Sequence, residues 1–310
     1  MTNPIVDQGD RLRRPSGIRS IMLGATRISY VPDGALQLPP RGWLPDSTAE
    51  FWTTRPEYLD SAGYLVAGIG ALLVEHGDRA LLIDTGFGPE ALPPDPSVPR
   101  GTIHGGALLD NLVALGRSPD QIETVAFTHL HPDHVGWAWH PVPGGDETAF
   151  AGAGHLVSAP EWAGRDLLPA QGIGAEVVAA LAPRVRTITD GQEIFPGVRP
   201  RIMAGHTVGH TEYVITGGGR RLIAFGDALH SPIQIEHPEW SSAVDYDAAA
   251  AAVHRRRLVA ELARPDTIGF GVHFADVVFG RVRGVSIADV LEMTAEQALD
   301  FWDGHGDSKI

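Results

Sequence analysis

Three imidazoles and a carboxylate fall within the six residues His129-Leu130-His131-Pro132-Asp133-His134. Imidazole nitrogen and carboxylate oxygen are donors for Zn²⁺ and neighbouring divalent metals, and four of them in so short a run exceed what one tetrahedral ion takes locally. The run therefore implies two metal ions. Two adjacent cations make hydrolytic chemistry accessible. A water they share loses its proton near neutral pH, one cation polarises the attacked carbonyl or phosphoryl oxygen, and the other neutralises charge on the departing oxygen. No serine or cysteine nucleophile is needed, and the chain contains no cysteine.

These donors must be brought together by regular elements. Pro132 biases His131 towards an extended backbone and suits the first turn of a helix, so the run reads as strand end, sharp loop and helix start. The preceding Glu123-Thr124-Val125-Ala126-Phe127-Thr128 is β-branched and apolar, as a buried strand is. Taken alone, the hexapeptide could be a fortuitous surface cluster. Four other segments argue otherwise, because each places a ligand type at the end of a predicted strand. They are Leu81-Leu82-Ile83-Asp84-Thr85-Gly86, Gly205-His206-Thr207-Val208-Gly209-His210, Phe225-Gly226-Asp227, and Gly269-Phe270-Gly271-Val272-His273.

In this order, the five segments resemble the metallo-β-lactamase superfamily, with its early Asp, HxHxDH, lone His, bridging Asp and final His. The resemblance covers roughly residues 70–275. It implies an α/β (α+β) fold, the four-layer αββα metallo-β-lactamase sandwich, as one domain over 1–310 with an N-terminal extension of about residues 1–60. Carried over, it puts His129, His131 and His206 on one metal and Asp133, His134 and His273 on the second. Asp227 bridges them, and Asp84 stands behind the ligands, orienting an imidazole. The diiron oxidoreductases of the superfamily have Glu where this chain has His131, so the hydrolytic pattern fits better. The implied cofactors are two divalent ions, zinc first, with Mn²⁺, Fe²⁺ or Co²⁺ also accepted by such donors.

Three residues beyond Asp227, where N-acyl-homoserine lactonases carry Tyr, this chain has His230. The stretch Gly226-Asp227-Ala228-Leu229-His230-Ser231-Pro232-Ile233-Gln234, with Pro238-Glu239-Trp240, resembles a branch holding quorum-quenching lactonases and methyl-parathion-type hydrolases. The resemblance thus implies hydrolysis of a small ester-like substrate by a hydroxide between the metals, with a lactone foremost. Organophosphate triester or aryl ester hydrolysis is the alternative, ahead of a metal-dependent oxidoreductase or a non-catalytic metal binder. Asp133, Asp227 and His230 are the expected catalytic residues. His230 either binds the leaving oxygen or supports a ligand, and His210 supports the Gly209 turn.

Composition agrees with this class. At 310 residues, 43% hydrophobic and 20% charged, the chain can bury a large core. A net charge of -14 argues against a nucleic-acid partner. No run approaches ~18 uninterrupted apolar residues, and the start Met1-Thr2-Asn3-Pro4 opens no basic and then apolar leader, so no membrane partner and a cytoplasmic location are expected. A homodimer is compatible with all of this. Arg11-Leu12-Arg13-Arg14 is followed by Pro15-Ser16-Gly17 instead of an apolar stretch, and reads as a solvated arm. His76, His254 and His305 read as exposed, and His104, His140, His155 and His237 as structural. The prolines in Leu38–Pro45 and Leu92–Arg100 mark long loops that either wall the site or merely connect. Trp137, Trp139, Phe150, Trp162 and Trp240 are core or pocket wall.

Overall fold

A computed structural model of the chain describes residues 8–95 and 97–283. His305 and the Met1–Asp7 start lie outside the described residues. The strands are β1 (Arg19–Leu23), β2 (Thr26–Leu38), β3 (Leu65–His76), β4 (Arg79–Ile83), β5 (Ala91–Leu92), β6 (Ile103–His104), β7 (Thr124–Ala126), β8 (Gly154–Ser158) and β9 (Val185–Ile188), then β10 (Val198–Ile202), β11 (Thr211–Gly217), β12 (Arg220–Ala224), β13 (Thr267–Phe270) and β14 (Phe279–Gly280). The first nine form one sheet in the order β5-β6-β2-β3-β4-β7-β8-β9, with β1 paired to β2; the last five follow in sequence order in the second sheet.

Strand periodicity explains the layering. Leu72, Val74, Leu81 and Ile83 point one way and meet Val198, Tyr213, Ile215, Leu222 and Ala224 between the sheets. Their neighbours Ala71, Leu73, Ala80 and Leu82 point the other way. There they meet Leu112, Val135, Trp137 and Leu181 from the helices Leu108–Ala114, Pro132–Trp139 and Ala175–Leu181. Behind the second sheet, Ile223 and Phe225 pack on Leu258, Val259 and Leu262 of the helix Ala248–Leu262. The result is the αββα sandwich. Because both strand faces are buried, the strands read as continuous apolar runs instead of alternating ones.

Strands β1 and β2 form a hairpin turned at Gly24 with φ +62°, and β2 continues to Leu38. Leu38–Pro45 holds a single helical turn, Pro40–Trp43, and Leu92–Arg100 begins on the short strand β5. Gly217–Gly219 turns the β11–β12 hairpin, with Gly218 and Gly219 both at positive φ. The helix Ala248–Leu262 starts where the Asp247 side chain caps it by accepting from Ala250 N.

The arginine arm is not merely solvated. Arg14 and Arg19 pair with the buried Asp276 carboxylate at 2.9 and 2.6 Å, Ser16 Oγ donates to it, and Arg11 donates to the Asp276 carbonyl. His76 and His254 are half-buried instead of exposed, with His76 Nδ1 3.1 Å from Thr26 Oγ1.

The helix Pro132–Trp139 lies directly on the Asp84–Gly88 loop. Gly136 N donates to Gly86 O at 2.7 Å, and Thr85 N donates to His134 O at 2.7 Å. A Cβ at Gly136 would sit 2.1 Å from the Phe87 carbonyl carbon, which is backbone and cannot step aside. Gly136→Ala is therefore expected to destabilise the metal-free protein by about 1–3 kcal/mol or more, as overpacking does. A denaturant melt at the wild-type midpoint would show the glycine to be replaceable.

Candidate metal centre

Each donor leaves the C-terminal end of a strand or the loop beyond it. After β7 the chain passes Thr128 to His129 and His131, and Pro132 opens the helix that carries Asp133 and His134. His206 lies between β10 and β11, Asp227 follows β12 in a short helical turn, and His273 follows β13. Gly226 takes φ +50°, and a Cβ there would meet His210 Nε2 at 2.8 Å and Thr128 Cβ at 3.0 Å, so only glycine lets the Asp227 turn approach this closely.

The seven side chains expected as ligands converge into two groups, His129, His131, His206 and Asp227 in one and Asp133, His134 and His273 in the other, with donor atoms within 4.8 Å in each. Asp227 faces both. Its Oδ1 lies 3.1 Å from His134 Nε2 and 3.0 Å from His273 Nε2, while Oδ2 lies 3.3 Å from His206 Nε2 and 3.7 Å from His129 Nε2. Asp133 Oδ2 is 3.8 Å from His134 Nε2 and 3.7 Å from His273 Nε2.

The opposite ring nitrogens are anchored, which aims each Nε2 inward. His134 Nδ1 meets Asp84 Oδ2 at 2.9 Å, His206 Nδ1 meets Asp245 Oδ1 at 2.9 Å, His273 Nδ1 meets Gly68 O at 2.7 Å, and His129 Nδ1 meets Thr128 Oγ1 at 3.0 Å. Asp84 is held at φ +62°, an uncommon conformation for a residue with a side chain, and its carboxylate also accepts from Thr128 N and Oγ1. His210 does not face the donors as a ligand does. Its Nε2 accepts from Asp227 N at 3.1 Å and so holds the Asp227 turn.

The arrangement fits divalent cations. His129 Nε2, His134 Nε2 and Asp227 Oδ1 are buried and have no hydrogen-bond partner among the described residues. Buried polar atoms that crowd one another without hydrogen-bond geometry form a site that a shared cation completes. Burial and neighbouring imidazoles push His129 and His131 well below the usual histidine range, leaving neutral lone pairs. His134 is held well above that range, its burial outweighed by Asp227, Asp133 and Asp84. His206 is likewise raised to about 9, its burial outweighed by hydrogen bonds to Asp227 and Asp245. Burial would raise Asp227, but the charges of His273 and His134 hold it well below the carboxylate range. The cluster attracts positive charge, and without a metal, protons supply it.

A cavity of about 760 Å³ opens onto these residues and is lined by His131, Asp133, Asp227, His230 and His273. Both proline-rich stretches wall it, through Leu38 and Trp43 from the first and Leu92, Val98 and Arg100 from the second. Of the aromatics singled out from sequence, only Trp139 reaches it, whereas Trp137 and Phe150 are core. Of the histidines read as structural, His140 lines it, His155 is buried against Phe127, His237 stacks on Trp240, and His104 is exposed. His230 Nε2 lies 3.1 Å from Asp227 Oδ2, and its ring packs edge-on against Trp43.

Three buried acids escaped sequence reasoning. Asp33 accepts from Phe87 N, Gly88 N, Gly106 N, Leu108 N and Trp137 Nε1, fixing the loop under the ligand helix. Glu161 accepts from Leu130 N, Thr207 Oγ1 and Gly209 N, joining the two histidine loops. Asp245 orients His206. A lone acid carries no local signal; only the helix cap Ser158 before Glu161 hints at a structured start.

Similar folds are known. AidC, a dizinc quorum-quenching lactonase solved with the product N-hexanoyl-L-homoserine, superposes with a TM-score of 0.74 at 23% identity over 89% of this chain and 96% of its own. The hydrolase AbOPH of the beta-lactamase superfamily gives a TM-score of 0.72 at 25% identity over 88% and 95%. A mutant of AiiA from B. thuringiensis, with N-decanoyl-L-homoserine bound at the active site, gives 0.60 at 19% over 82% and 94%. Residues 69–273 match the metallo-beta-lactamase superfamily, and with the αββα layers and clustered donors in place, the chain belongs to that superfamily as a metal-dependent hydrolase.

Proposed function

We propose that the protein is a dinuclear hydrolase of small ester-like substrates, lactones foremost, with zinc as the first candidate metal. His129, His131 and His206 hold one cation, Asp133, His134 and His273 hold the other, and Asp227 joins them. The observation that carries this reading is the placement of Asp227, one carboxylate oxygen turned to each set of imidazole nitrogens. Bound there, divalent cations supply Lewis-acid activation of water and of the attacked oxygen. The protein's own task is positioning. Leu36, Leu38, Phe87 and Ile103 give the cavity an apolar wall that suits an acyl chain, and His230 lines the same cavity beside Asp227 and is our candidate for holding the leaving oxygen.

A second reading, phosphotriester or aryl ester hydrolysis, draws on the aromatic share of that wall, Trp43, Phe87 and Trp139, which suits an aryl group equally. The likeness to lactonases in fold supports the first reading. Metal analysis of loaded protein, followed by a pH-indicator screen of lactones, aryl esters, phosphotriesters and β-lactams on the same sample, tests both. The expected result is two cations per chain, one for each donor group, with lactones turned over fastest. A reproducible stoichiometry of one, with Asp133 and His273 dispensable for metal content, would overturn the dinuclear assignment.

A further inference from the structure

The helix Ala248–Leu262 carries Arg255, whose side chain is wholly buried. All three of its nitrogens are committed. Nε donates to Pro238 O at 2.8 Å, Nη1 to Asp245 Oδ2 at 3.0 Å and Nη2 to Ser241 Oγ at 2.6 Å. The Asp245 side chain is equally buried. Ser242 N donates to its Oδ2, while Ser242 Oγ and His206 Nδ1 reach its Oδ1 at 2.8 and 2.9 Å. On the far side of that imidazole, His206 Nε2 faces Asp227. A continuous line of directed contacts therefore runs from the outer helix to the metal-facing nitrogen.

Stability alone is a poor reason for this pair. Taking two charges out of water carries a desolvation penalty that their attraction often only balances, and apolar replacements of buried pairs are frequently neutral or better. What an apolar pair cannot do is hold a carboxylate in one rotamer with one oxygen committed to an imidazole Nδ1. That contact fixes the tautomer and the ring plane, and removing such a partner typically weakens metal binding about 10–100-fold. Arginine suits the task better than lysine, because its planar fork reaches three acceptors at fixed angles.

We propose that Arg255 and Asp245 act as one positioning unit that sets cation affinity at the His129, His131 and His206 group and leaves the other group untouched. The inference rests on the reading of His206 as a metal ligand. Titration of metal-free protein with zinc against a chromophoric chelator gives two affinities for the wild type, and a melt of the metal-free form tracks the scaffold. Asp245→Asn and Arg255→Met are each expected to weaken one affinity about 10–100-fold. The double variant should be no weaker than the worse single one, because the two residues serve one contact. Arg255→Lys should lie between.

Unchanged affinities with only a lowered melting temperature, or equal losses of both, would overturn the positioning role. Should Arg255→Met fail to fold, Asp245→Asn, which keeps size and polarity, carries the same test. His206→Ala separates the two levels of the argument. If it leaves both affinities intact, the ligand reading is wrong; if it removes one while Asp245→Asn changes nothing, only the positioning unit is wrong.

Discussion

Asp227→Ala is expected to reduce hydrolysis by about a thousandfold or more and to weaken binding of both cations together. The magnitude follows from what the carboxylate does. Its two oxygens lie within 3.0–3.7 Å of four imidazole Nε2 atoms drawn from both donor groups. Without it, two like-charged ions would face each other across a buried space with nothing negative between them. Several kcal/mol of charge stabilisation would be lost, and each 1.4 kcal/mol or so is tenfold in rate. Asp227→Asn is the instructive companion, since it keeps the shape and the acceptor oxygen but removes the charge. Metal content and kcat should fall in both variants. Wild-type turnover of any good substrate by Asp227→Ala would show the bridge to be misassigned, whereas intact metal content with lost turnover would move Asp227 from binding to chemistry.

Most of the donors could be placed from sequence because a buried strand precedes them, with His129, Asp227 and His273 three residues past the ends of β7, β12 and β13 and Asp133 and His134 on the helix that follows β7, whereas His206 follows the half-exposed β10. An apolar run leading to His or Asp is a local signal, and the signals around Asp84, His129, Asp227 and His273 are of this kind, while His206 stands out only by its glycine-flanked histidines. The supporting atoms gave no such signal. Asp33 follows Pro32 and precedes Gly34, which reads as a turn, yet it lies inside β2 and gathers five donors from three distant segments. Arg255 sits in Arg255-Arg256-Arg257, which reads as a solvated face, but the helix turns only the first of the three wholly inward, beside Ala251, Leu258 and Val259. Burial of a charge is decided by partners remote in sequence, here Asp245 and Ser241. The arginine arm was misread for the same reason, as its acceptor Asp276 lies about 260 residues away.

His230→Ala should cost most where the leaving group is poor. The ring lines the cavity, and its Nε2 lies 3.1 Å from Asp227 Oδ2, so the N–H that a leaving oxygen could share is the one held beside Asp227. Burial, only partly offset by Asp227, holds His230 below the usual histidine range, so the ring offers a single N–H, at the Nε2 beside Asp227, and acts through a hydrogen bond more than as an imidazolium acid. That places its contribution near the lower end of the ~10²–10⁴ span of general-acid catalysis, about a hundredfold. A nitrophenolate departs with little help, whereas an alkoxide needs a proton or a donor. Turnover of alkyl lactones should therefore fall about a hundredfold in His230→Ala, and that of nitrophenyl esters only a few fold, with metal content unchanged. His230→Gln, which keeps an N–H donor, should recover part of the lactone rate. Equal losses on both substrate types, with no recovery by glutamine, would assign His230 to holding Asp227 and Trp43 in place instead of assisting the leaving oxygen.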